Sequence, residues 1–239
     1  MHVRKECNDI TLQRAYYART ASQYDSRHVD PHDGHHLALS ILSGLIDQTE
    51  AASVLDVGSG TGRAVRYLKL RHPGVRIVGI EPVDELRTVG HRNGLGLDEL
   101  IEGDATALQA ADDSYDIVAE FGALHHILDS ERAVREMVRV ARHGVFLSDS
   151  NNFGHGMPLT RIAKQMLNAL RLWPLADYIK TRGKRYTLSE GDGLAYSYSV
   201  FNSEAFLRQK FPNVLFFGLS ASSGNLYRTA SHVGVFAHR

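Results

Sequence analysis

The stretch VLDVGSGTGRA, Val54 to Ala64, restricts the fold more than any other part of the chain. An apolar run ends in Gly58, Gly60 and Gly62 at alternate positions, and a helix-forming stretch, TGRAVRYLKLR, follows. Glycines at such a place permit a tight strand-to-helix turn and let a ligand approach the backbone closely. The free N–H groups of the helix start then face an anionic part of that ligand. A glycine turn alone is a weak signal. This one is followed by Glu81 at the end of a second apolar run, VRIVGIE. That is the spacing, about 20 residues, at which a nucleotide-binding fold puts a carboxylate on ribose hydroxyls.

The surrounding pattern supports such a fold. Across residues 51–150, SVLDVG, VRIVGIE, ELIEGD, YDIVAEFG and VFLSDS read as strands, with helical stretches between them. The last of those helices, DSERAVREMVRVARHG, is predicted to start on an Asp129 cap and to end at Gly144. Alternation of this kind means an α/β fold, a parallel sheet with helices on both faces. Residues 9–50 read as a helical cap. Residues 153–201 break the alternation with an amphipathic helix, LTRIAKQMLNALRLW, and a hairpin around EGDG. The second hairpin strand is expected to continue to Phe201, with Tyr196 and Tyr198 on one face and Ser197 and Ser199 on the other. With Arg182, Lys184 and Arg185 nearby, it would form a lid over an aromatic or anionic acceptor. Residues 202–239 read as a closing helix, capped by Asn202 or Ser203, and two antiparallel strands, NVLFFGLS and YRTASHVGVFAHR. All of 1–239 is taken as one domain.

Composition removes several function classes. Lys plus Arg and Asp plus Glu both number 27 among 239 residues, so no basic excess suggests a nucleic-acid partner. Cys7 is the single cysteine, which rules out an intrachain disulfide and a cysteine metal cluster and fits a reducing cytoplasm. MHVRKECNDI lacks the apolar run of a signal peptide. No apolar run is long enough to span a bilayer, so no membrane partner is expected. A homodimer is compatible with the sequence.

The cofactor follows from Asp56. NAD binding favours G-x-G-x-x-G, whereas this turn is G-x-G-x-G with a carboxylate two residues before it. Asp56 would repel a pyrophosphate and suits a cationic group. With these residues in place, the chain resembles class I S-adenosylmethionine-dependent methyltransferases, of the broad group acting on small molecules, over roughly residues 10–150. The resemblance implies a Rossmann-like three-layer sandwich. Its seven-stranded sheet is mostly parallel with the last strand antiparallel, and methyl transfer is by in-line displacement. It implies that S-adenosylmethionine is held by Asp56, Gly58, Gly60 and Gly62. Glu81 and Pro82 would sit at the ribose, Asp104 and Ala105 at the adenine, and Glu120 and Phe121 beside the methionine part. Tyr24, with Tyr16 and Tyr17, would lie on a cap that closes over the cofactor. An NAD(P)-dependent oxidoreductase and a non-catalytic S-adenosylmethionine-binding module are the alternatives.

The acceptor is defined mainly by exclusion. EFGA replaces the Asn/Asp-Pro-Pro-Tyr-like motif of enzymes that methylate nucleobase amino groups, and Cys7 is badly placed for attack on a pyrimidine. What remains is a small molecule, most simply one with a hydroxyl or an amine. In EFGALHHIL, His125 and His126 are the candidate general base. As adjacent residues they are expected to face different ways, so that one reaches the acceptor. RHVDPHDGHH, Arg27 to His36, is rich in metal-ligating side chains but matches no ligand spacing and reads as a lid loop. Glu120, Asp149 and Asn151 could form an oxygen set for Mg²⁺. No metal is expected.

Overall fold

The computed structural model describes residues 2–222 and 224–239, with side chains from Asp9 onward. The side chain of Cys7 therefore lies outside the described residues. The cap is α1 (His2–Thr20), α2 (Tyr24–His28) and α3 (Gly34–Thr49). The core alternates β1 (Ser53–Val57), α4 (Arg63–Arg71), β2 (Arg76–Ile80), α5 (Asp84–Arg92), β3 (Leu100–Ile101), β4 (Tyr115–Phe121), α6 (Ser130–Val140) and β5 (Ala141–Ser150). The insertion is α7 (Pro158–Ala169), α8 (Trp173–Lys180) and the hairpin β6 (Tyr186–Ser189) and β7 (Gly193–Tyr196). The chain closes with α9 (Glu204–Lys210), β8 (Asn213–Gly218), α10 (Leu226–Thr229) and β9 (His232–His238). Among the described residues no helix is long and apolar enough to cross a membrane.

Seven strands form one sheet in the order β3-β2-β1-β4-β5-β9-β8. β1 to β5 run parallel, and β9, the last strand, is antiparallel to both β5 and β8. The expected α/β class and sheet are therefore present. β1 and β4 are buried on both faces, which is why they read as nearly continuous apolar runs. Alternate residues feed two cores. Leu55, Val57 and Val118 pack with Ala133, Val134 and Met137 of α6, while Val54, Ile117 and Ala119 pack with Leu39, Leu42 and Ile46 of α3.

Several element boundaries differ from the sequence expectation. α6 stops at Val140 rather than Gly144, because Ala141 pairs with Tyr115 and Arg142 is bonded to Asp116 at 2.8 Å. Strand pairing overrides helix propensity over these four residues. α9 begins after Ser203, but neither expected cap donates or accepts a side-chain capping bond. Asn225 instead caps α10, so the segment read as a strand from Tyr227 is helical until Thr229. The second hairpin strand ends at Tyr196, not Phe201. Ser199 forms a bridge to Asn151, and residues 200–203 turn helically. Tyr198 and Phe201 thereby join the main core, with Phe201 stacked on Phe216 at 5.0 Å, and do not form an acceptor-facing strand.

Asn151 holds the root of the insertion. It is fully buried. Its amide donates to the carbonyls of Tyr227 and Ala230, both at 2.9 Å, and its oxygen accepts from the Ser199 hydroxyl at 2.9 Å. Asn151→Ala leaves these buried groups unpartnered and is expected to lower stability by roughly 2–5 kcal/mol. Urea denaturation checks this as a lower midpoint at unchanged slope.

Candidate active site

The carboxyl ends of β1, β2, β4 and β5 meet at one edge of the sheet, where an α/β fold binds its ligands. The glycine turn is fixed first. The N–H groups of Gly58 and Ser59 both donate to the Ile80 carbonyl at 2.9 Å. Gly60 has a positive φ of 56°, and a Cβ there would lie 2.8 Å from the Tyr24 hydroxyl. Gly62 is also left-handed, but a Cβ on it would meet Leu95, so it serves packing behind the turn.

Glu81 links this turn to the next strand. One of its carboxylate oxygens accepts from Gly60 N at 2.9 Å and the other from Val83 N at 3.0 Å. Burial pushes its carboxyl up to about 6 in spite of these two bonds. Asp56 is buried and makes no ion pair among the described residues; burial, with the charge of Glu81 added, raises it to about 7.

Two adjoining cavities open here, and Tyr17, Tyr24, Gly58, Phe121 and His126 line both. The larger, about 1350 Å³ with its mouth, runs past Gly60, Glu81 and Pro82 to Asp104 and Ala105. The smaller, about 750 Å³, holds Asp56, Arg63, His125 and Asp192. Of the residues that the sequence assigned to the donor and to the general base, all but two line these cavities. Gly62 is one exception. The other is Glu120, whose carboxylate accepts from Ala123 N at 3.0 Å and Ser148 N at 2.9 Å. It is fully buried and lines neither cavity; it fastens the exit of β4 to β5. Burial and the charge of Asp149 hold its carboxyl well above the usual range. Asp104 stands at the mouth, half exposed, 3.2 Å from Arg14.

The two histidines lie on a helical turn, Leu124–His126. His125 Nδ1 is 2.7 Å from Asp149 Oδ1, and Asp149 Oδ2 accepts from Leu124 N at 2.8 Å. His126 Nδ1 donates to the Leu194 carbonyl at 2.6 Å, and its Nε2 is hydrogen-bonded to the Tyr17 hydroxyl at 2.9 Å. With each Nδ1 anchored outward, both Nε2 atoms turn inward. Each lies 3.4 Å from one oxygen of Asp192. The expectation that adjacent histidines face different ways is thus overturned: anchors on β5 and on β7 aim both at one carboxylate.

Burial alone would lower the pKa of His125. The charge and hydrogen bond of Asp149, and then Asp192, outweigh it and raise it to about 10, so His125 is protonated at neutral pH in this arrangement. Burial pushes the Asp149 and Asp192 carboxyls up, but the histidines beside them hold both below the usual carboxylate range. His125, His126 and Asp192 are also the group that could hold a cation among the described residues. The side chains between Arg27 and His36 form no such group, and Glu120, Asp149 and Asn151 are each committed to protein partners, so no Mg²⁺ oxygen set is assembled.

Sequence reasoning missed Asp192, which it read only as part of a tight turn. It named Asp149 as an oxygen ligand and not as the partner of His125. The rule that located Glu81, an acid at a strand's carboxyl end, also marks Asp149.

A family model described as "Methyltransferase domain" matches residues 55–148. The chain is 34% identical over 110 residues to the malonyl-[acyl-carrier protein] O-methyltransferase of Xylella fastidiosa, covering 44% of this chain and 36% of that protein. It is 31% identical over 132 residues to the demethylmenaquinone methyltransferase of Roseiflexus castenholzii, covering 51% and 56%. The chain thus spans about a third to about half the length of the curated relatives it matches. In fold it is similar to the magnesium protoporphyrin IX methyltransferase of Synechocystis, solved with bound SAH. The TM-score is 0.58 at 13% identity, over 96% of this chain and 99% of that one. A SAM-dependent methyltransferase structure from Methanosarcina mazei gives a TM-score of 0.52 at 19% identity, over 78% and 92%.

The electrostatics of the histidine pair can be checked directly. In an NMR titration the His125 ring should lose its proton near 10. Asp192→Asn should move that value down and Asp149→Asn further down. Titration of the wild-type ring near 6.5 would contradict the ion-pair arrangement.

Proposed function

The chain carries a class I S-adenosylmethionine-dependent methyltransferase domain, and on that premise we propose that the whole protein transfers the donor's methyl group to a hydroxyl or an amine of a small molecule. The observation that carries this reading is Asp56, a buried carboxylate without an ion-pair partner among the described residues, one strand away from Glu81. A ligand with a cationic end and a ribose answers both, which a dinucleotide pyrophosphate does not.

Asp56 and the Gly58–Gly60 turn take the amino-acid end of the donor, Glu81 and Pro82 its ribose, and Asp104 and Ala105 its base. Glu81 keeps a free lone pair on each oxygen after its two backbone bonds, enough to accept from two hydroxyls. Tyr17, Tyr24 and Phe121 exclude water from the junction of the two cavities. S-adenosylmethionine, when bound, supplies a methyl group made electrophilic by its sulfonium. Glu120 keeps the exit of β4 rigid beside that position.

The acceptor's oxygen or nitrogen enters between the two Nε2 atoms and displaces Asp192. Removal of that carboxylate takes away one of the two charges that hold the proton on His125. As it leaves, Asp192 takes the Nε2 proton of His125 out to solvent; the freed Nε2 then receives the acceptor's proton, with Asp149 behind it stabilising the imidazolium that re-forms. The relative named for demethylmenaquinone is in keeping with a small-molecule acceptor.

S-adenosylhomocysteine at about 100 times its Kd should stabilise the protein by roughly 2.7 kcal/mol, seen as a raised Tm, while NAD(P) should leave it unchanged. Asp56→Ala should lose most of the shift. Stabilisation by NAD(P) alone would overturn the reading. Once an acceptor is found, His125→Ala should lower kcat by roughly 10²–10⁴-fold with little change in donor binding by calorimetry. The wild-type rate should fall as pH drops and His125 is held protonated. An unchanged kcat in the variant would remove His125 from the proton transfer.

A further inference from the structure

Residues 157–188 leave a broad apolar surface uncovered. Along α7 and at its C-cap, Leu159, Ile162, Met166 and Leu170 recur at helical spacing and stand outward, Leu159 at 81% exposure. α7 buries none of its side chains completely. α8 is inverted: the side chain it buries is Asp177, while Leu175, Tyr178 and Ile179 point out, Ile179 at 68% exposure. Carboxylate in and aliphatics out is unfavourable against water and suits an apolar medium outside.

Charge says which medium. Between Met157 and Leu188 there are seven Lys and Arg and one carboxylate, Asp177, in a chain whose charges balance overall. Arg161 and Lys164 turn inward to backbone carbonyls. Arg171, Lys180, Arg182, Lys184 and Arg185 remain exposed beside the apolar stripes. Arg182, Lys184 and Arg185 are the residues that the sequence reading assigned to an acceptor, yet none of the five lines either cavity.

We propose that α7 and α8 dock on an anionic lipid surface, with the aliphatic stripes at the acyl boundary and the exposed cations among the headgroups. The contact is with the surface and involves no crossing. The expectation of no membrane partner rested on span length, which does not bear on it. A second copy on this face would bring two cationic surfaces together. Nucleic acid would set phosphates against aliphatic side chains. The proposal goes beyond methyl transfer and does not rest on it.

The test is sedimentation of the full chain with vesicles of phosphatidylcholine alone or with about 30% phosphatidylglycerol. Binding is expected to the mixed vesicles, at least about tenfold weaker to phosphatidylcholine alone, and largely lost in about 1 M salt. The single tryptophan, Trp173 at the start of α8, should shift its emission to the blue on binding. Ile162→Glu and Ile179→Glu alter exposed positions, so the fold should persist, checked by an unchanged Tm, while vesicle binding drops at least about tenfold. Absence of phosphatidylglycerol-dependent binding, or wild-type binding by both variants, would overturn the proposal. A dimer that the same substitutions dissolve, without vesicle binding, would assign the face to a second copy and overturn it as well.

Discussion

Four carboxylates, Asp56, Glu81, Glu120 and Asp149, are buried at one edge of one sheet, and the local structure is organised around that concentration of like charge. In a low-dielectric interior such groups repel one another and favour protonation unless donors surround them. Glu81 takes the N–H groups of Gly60 and Val83, Glu120 those of Ala123 and Ser148, and Asp149 that of Leu124 together with the ring of His125. Asp56 has neither an ion pair nor a described backbone N–H; its support is the Ser59 side chain, which burial outweighs. The glycine turn is therefore more than open space for a ligand. Its Gly60 N–H is already used to hold Glu81 in place, and in the proposed function a cationic ligand group would complete the charge balance at Asp56.

The same constraint explains the turn between β4 and α6. Glu120 and Asp149 reach across from neighbouring strands to Ala123, Leu124 and His125, so the backbone after Phe121 is pinned from two sides. The histidine rings inherit their directions from these anchors and not from helical or strand periodicity. Phe121, which lines both cavities, directly precedes this pinned backbone.

What the sequence made legible is what depends on local pattern. Strand ends, the glycine turn and the acids near them pick out Asp56, Glu81 and Asp104, which line the two cavities, because burial of the strands dictates their apolar composition. The end of α6 was not legible, since Ala141 to Gly144 continue a helical pattern and only pairing with Tyr115 and Ile117 makes them strand. The direction of Glu120 depends on Ser148, 28 residues away, and the position of Asp192 depends on how a hairpin folds back over the sheet. Neither leaves a periodic trace. The surface of α7 and α8 is a different case: the amphipathic stripe of α7 is visible in the sequence and the helix α8 is not, and a stripe does not state which side faces the protein.

The cap and the insertion close the site as one unit. Gln13 accepts from Leu194 N at 2.6 Å, and the Tyr16 hydroxyl donates to the Glu190 carbonyl at 2.7 Å, so α1 holds the hairpin that carries Asp192. Tyr17 of the same helix reaches His126, whose other nitrogen is bonded to the hairpin at Leu194. Gly193 lies against Tyr16 and Gln13 so closely that a Cβ would stand 2.6 Å from the tyrosine ring. Removing Asp192 from the histidines thus requires the hairpin tip to part from α1, or its side chain alone to turn away. The root of the insertion cannot follow, because Asn151 and Tyr198 fix it in the main core. Any opening must therefore bend the chain between Tyr196 and the tip, and it releases Gln13 of α1, which lines the larger cavity, from the Leu194 backbone.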